Sequence, residues 1–137
     1  MRRLYIAKLF VTVLVATFSL IPVFSHSETL VAHKSLSAES LDINQVKRIF
    51  LGKITRLDSG ETVRPCYLAD DAFFNVIEKT ASQFDAYWNK RIFSGTGIKP
   101  AMLESVSSVL DFVENNEGAI CYATGAQAGD GMVTLSF

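Results

Sequence analysis

"QVKRIFLGKITRLDSGETVRPCYL", residues 45–68, carries a helix end, a turn and a strand in one run. Ile43, just upstream, joins Val46, Ile49 and Phe50 on one helical face. Asp42 and Gln45 form a capping-box pair at the start of that helix, and Gly52 is its C-terminal stop. Asp58, Ser59 and Gly60 supply turn chemistry. "TVRPCYL" reads as a short strand, in which Pro65 indicates an edge, a bulge or a strand start. Four cations, Lys47, Arg48, Lys53 and Arg56, crowd the helix end. The simpler reading is compensation of the helix dipole; the other is a shallow surface that attracts anions.

Working outward, a first strand is expected around Thr29–Ala32, followed by the polar lead-in "HKSLSAES". "DDAFFNVIEKT" is a second helix, acidic at its start as the dipole favours, with Asp70 and Asp71 read as a capped helix start rather than a metal pair. "SQFDAYWNKRIF" is a third, with Ser82 as its cap and Phe84, Tyr87, Trp88 and Phe93 read as core residues rather than a stacking platform. "SGTGIKP" breaks it. "SSVLDFVENNEGAICYATG" gives a fourth helix, a stop over Asn115–Gly118 and a strand over Ala119–Ala123. The continuous apolar character of that strand belongs to a sheet interior, and "GMVTLSF" supplies a closing strand. Helices alternating with short apolar strands indicate an α/β domain built on one sheet.

The N-terminus has another character. Arg2, Arg3 and Lys8 precede an apolar run from Leu9 to Phe24, followed by Ser25 and Ser27. That run is about 16 residues and contains Pro22, short of the roughly 20 a spanning helix needs. Residues 1–27 are therefore expected to be a cleaved signal peptide and 28–137 the domain, exported to the periplasm with no membrane attachment after cleavage. Cleavage would leave ten basic and 14 acidic residues, a balance that gives no reason to expect nucleic acid as partner. His33 would be the sole remaining histidine, in the polar lead-in, and no Ser or Cys nucleophile stands in a recognisable setting beside a base, so neither a metal centre nor an enzyme is indicated and no cofactor is implied. Cys66 and Cys121 are either a disulfide, as an oxidising compartment allows, or two small buried apolar residues.

Three stretches taken together, "QVKRIFLGKITRLDSGETVRPCYL", "FDAYWNKRIFSGTGIKP" and "VLDFVENNEGAICYA", resemble the phosphate ABC transporter substrate-binding proteins, above all their short single-lobe relatives. The resemblance runs from about Leu36 to Tyr122. It implies a single lobe of a type II periplasmic binding protein-like fold, with a small mixed sheet flanked by helices. It also implies weak binding of phosphate or a similar small oxyanion, with an envelope protein or an ABC transporter component as partner. The alternative is a ligand-free periplasmic interaction module that keeps the fold. Two departures stand out. Cys121 replaces the family's usual Gly, and "CYLADDAFF" replaces its Arg and Ser-Gly-Ser-Gly-Thr-like phosphate loop, setting Asp70 and Asp71 where the anion would sit. The candidate ligand residues are then Lys53, Arg56, Ser94, Gly95 and Thr96. The last three follow a helix rather than opening one, so Ser94–Gly97 reads first as a glycine-rich helix stop.

Overall fold

The computed structural model describes residues 30–137. The expected signal peptide, its cleavage point and Thr29 lie outside the described residues. The elements run β1 (Leu30–His33), α1 (Ile43–Phe50), β2 (Arg64–Leu68), α2 (Asp71–Val76), α3 (Ala81–Phe93), β3 (Ala101–Leu103), α4 (Val106–Asn115), β4 (Ala119–Tyr122) and β5 (Met132–Leu135). The strands form one mixed sheet in the order β3-β2-β4-β1-β5. β2 is parallel to both β3 and β4, and β1 is antiparallel to β4 and β5. None of the described helices is long and apolar enough to cross a membrane.

Side-chain alternation divides the core in two. Leu30, Tyr67, Ile120 and Tyr122 face one side, where Phe50 of α1, Phe73 of α2 and Phe84 and Trp88 of α3 cover them. Val31, Cys66, Ala119 and Cys121 face the other, under Val109 and Val113 of α4. β4 is buried at all four positions because helices cover both faces, the burial its unbroken apolar run implies. Each large aromatic removed from water here contributes roughly 1.5–3 kcal/mol. Cys66 and Cys121 are direct partners across β2 and β4, with Cα atoms 4.5 Å apart, and form a disulfide.

The N-terminal signals of α1 and α2 act as written: Asp42 and Gln45 close a capping box, and Asp70 accepts from the Phe73 amide. Elsewhere the structure corrects the expectation. The cap of α3 is Thr80, not Ser82, because Gln83 stands three residues beyond Thr80 and returns its side chain to the Thr80 amide. Ile43 is 38% and Phe93 97% exposed, so neither belongs to the core. Of the three readings of Pro65, the strand start is the one found: it is second in β2, an interior strand. Arg64 donates to Gly118, whereas β3 pairing begins only at Cys66, so the missing amide of Pro65 interrupts no ladder. The short strand β3 has no counterpart in the sequence reading.

Candidate functional site

Four of the five candidate ligand residues lie at two helix ends with the same construction, and Arg56 lies in the turn that follows the first. At α1 the Gly52 amide donates to Ile49 and the Lys53 amide to Arg48; at α3 the Gly95 amide donates to Ile92 and the Thr96 amide to Arg91. Both are Schellman closures with glycine at φ near +70°. The amides that an anion would need are thus consumed by the helices' own carbonyls. The hydroxyls of Ser94 and Thr96 are also turned inward, donating to the Arg91 carbonyl at 3.0 and 3.2 Å. Arg56 is exposed and reaches only the Gly60 carbonyl of its own turn, at 3.5 Å. Lys53 is exposed and makes no ion pair among the described residues.

The structure does bring these two helix ends together, by cross-chain donors rather than around a ligand. Three successive carbonyls at the end of α1 are taken by α3. Trp88 Nε1 donates to Phe50 at 3.3 Å, the Tyr87 hydroxyl to Leu51 at 2.6 Å, and Arg91 to Gly52 at 3.4 Å. Arg91 also donates to the Thr96 carbonyl at 2.9 Å, tying the second turn to the first. The cation that completes the end of α1 is therefore Arg91, 39 positions from Gly52. Lys47, from the local cluster, instead pairs with Glu78 at 2.9 Å.

At the C-terminal end of β2, the position that the resemblance gives to the anion is occupied by Asp70. Its carboxylate accepts from the Phe73 amide at 2.8 Å and so fills the first turn of α2, while Asp71 adds a second, exposed carboxylate. No Arg or Lys stands between Leu68 and Glu78. No group of three or more His, Cys, Asp or Glu side chains able to hold a metal occurs among the described residues.

A cleft of about 620 Å³ lies at the opposite end of the sheet, beside the first residues of β2 and β3. Its walls come from the end of α1, the turn into β2, the segment after α3 and Phe112 of α4. Thr96 is the sole candidate ligand residue on its lining. Arg64, Ile98 and Lys99 also line it. In the sequence Arg64 stands out only as one of the basic residues, with Lys53 and Arg56, close to the altered loop; Ile98 and Lys99 do not, since they are distant along the chain and share no local pattern with it.

No protein-family model matches the chain, and no curated protein matches it either. Two solved structures resemble it in fold. One is a protein assigned as a phosphate ABC transporter substrate-binding protein from Clostridium perfringens, with bound phosphate: TM-score 0.61, 20% identity, covering 80% of this chain and 44% of that one. The other is an ABC-type phosphate transport receptor from Vibrio cholerae: TM-score 0.52, 12% identity, covering 80% of this chain and 45% of that one. The chain thus spans less than half the length of either. At these identities the likeness is one of architecture: a five-stranded mixed sheet flanked by helices, corresponding to under half of a phosphate-type substrate-binding protein.

Proposed function

We propose that this protein is a non-enzymatic periplasmic module of the solute-binding-protein type whose inherited oxyanion position is closed. Its working contact is then with an envelope protein or a transporter component, and phosphate associates with it weakly or not at all. One observation carries this reading: the Asp70 carboxylate occupies the amide of α2 to which an anion would bind. An incoming oxyanion would have to displace that hydrogen bond and meet two carboxylates, the reverse of what anion sites supply. The Cys66–Cys121 disulfide is in keeping with an oxidising compartment.

The second reading, a weak oxyanion site, draws on the exposed cations Lys53 and Arg56. The Lys53 amide is already bonded to Arg48 and the Arg56 side chain reaches the Gly60 carbonyl, so they offer only loose, salt-sensitive attraction. Calorimetric titration of the purified protein with inorganic phosphate tests the choice. The expected dissociation constant is in the millimolar range or weaker, at most ~4 kcal/mol of binding free energy. A micromolar constant at physiological salt would overturn the closed-site reading. Asp70→Ser, which keeps a capping oxygen and removes the charge, should then be neutral or stabilising toward the anion, never weakening.

A further inference from the structure

We propose that the cleft at the start of β2 and β3 binds a small amphipathic organic anion: an aromatic or medium-chain alkyl body bearing one carboxylate or sulfonate, with Arg64 receiving the charged group. The body of the cleft is apolar, walled by Ile49, Ile54, Val63, Pro65, Ile98 and Phe112. Its volume of about 620 Å³ falls inside the roughly 300–1,000 Å³ span of small-molecule pockets, which combine apolar walls with a few convergent polar groups.

The charges on the lining all have one sign. Arg64 and Lys99 contribute to it, and no Asp or Glu does. Lys99 is neutralised by Asp85, at 2.6 Å. Arg64 is exposed, and its guanidinium has no hydrogen-bond or ion-pair partner among the described residues. Arg64 stands between this cleft and a polar hollow lined by Glu61 and Glu117, and forms an ion pair with neither among the described residues. An unpaired guanidinium beside an apolar cleft favours a ligand with one acidic head and an apolar body, because the head gains a charge-assisted, two-pronged contact while the body leaves water. Ile98 is 90% exposed at this mouth, apolar surface that such a body would cover. A bare phosphate fits poorly, since it would bury nothing against the walls.

This site is separate from the closed anion position. It adjoins Arg64, Pro65 and Ala101 at the starts of the parallel strands, whereas Asp70 follows the end of β2. The purified protein is to be titrated with two related fluorophores, anionic 8-anilinonaphthalene-1-sulfonate and neutral N-phenyl-1-naphthylamine. The readout is energy transfer from Trp88, the single tryptophan of the chain, which borders the cleft. The sulfonate should saturate at one per chain and be displaced by decanoate but not by inorganic phosphate. Arg64→Gln should weaken the sulfonate about tenfold or more while leaving the neutral probe within about twofold. Ile98→Asp, at a position too exposed to disturb folding, should weaken both probes, the anion more. Circular dichroism and thermal melts establish that both variants are folded. Absence of saturable sulfonate binding, or equal binding by wild type and Arg64→Gln, would overturn the proposal and leave the reading of Asp70 untouched. An equal loss of both probes in Arg64→Gln would overturn the assignment of the charged group.

Discussion

Gly52 and Gly95 form a matched pair in which one physical effect can be separated from another. Each is the first residue beyond the cap of its helix, and each sits in the left-handed region, at φ +69° and +71°. An alanine at either position incurs the left-handed penalty of about 1–2 kcal/mol. They differ in what the new methyl group would meet. At Gly95 there is nothing within 4 Å; at Gly52 the Trp88 Cη2 lies 2.6 Å away. That ring cannot easily withdraw. It is 1% exposed, its Nε1 is bonded to the Phe50 carbonyl, and Phe84 and Tyr87 pack on it edge to face. Overpacking at such a site adds about 1–3 kcal/mol. Gly95→Ala should thus cost about 1–2 kcal/mol and Gly52→Ala about 2–5. In a domain of this size 1 kcal/mol moves the melting temperature by about 4–8 °C, so the two variants should melt at least ~4 °C apart. Urea denaturation followed by Trp88 fluorescence gives the free energies directly. Equal losses in the two variants would refute the claim that Trp88 is locked against the end of α1.

Reducing the Cys66–Cys121 disulfide, which spans 55 positions, should lower stability by about 2–4 kcal/mol. Urea midpoints with and without reductant measure this, and an unchanged midpoint would contradict it. Glu61 accepts hydrogen bonds from the Ser37 hydroxyl at 2.6 Å and from Ser59. The Ser37 bond, ahead of the bond to its own backbone, holds its carboxyl below the ordinary carboxylate range. A lowered folded value stabilises the fold above the ordinary carboxylate range, and that contribution is lost as pH falls through the folded value. Stability should therefore decline on acidification less in Glu61→Gln than in wild type, and parallel pH profiles would count against the Ser37 contact.

Legibility followed the range of each interaction. α1 was readable because Asp42, Gln45 and Gly52 act within a few residues of one another, and α2 because Asp70 caps its own helix. The interior position of β4 was readable from its unbroken apolar run. The cap of α3 was misplaced by two residues because Thr80 and Ser82 offer the same hydroxyl chemistry, and only the return contact of Gln83 separates them. β3 was invisible: three residues at a sheet edge show no alternation that a pattern could detect. Lys47 and Arg48 do stand in the last turn of α1, as dipole compensation expects, but the groups that hydrogen-bond the carbonyls of Phe50, Leu51 and Gly52 are Trp88, Tyr87 and Arg91, 36 to 39 positions away. The cleft likewise exists only once the segments beginning at Gly52, Thr62 and Thr96 meet at one end of the sheet. Periodicity and capping are properties of neighbouring residues, which is why the four helices and four of the five strands are legible in the chain alone. Which side chains meet across the fold, as Arg91 meets Gly52, depends on packing between distant segments, which no local pattern encodes.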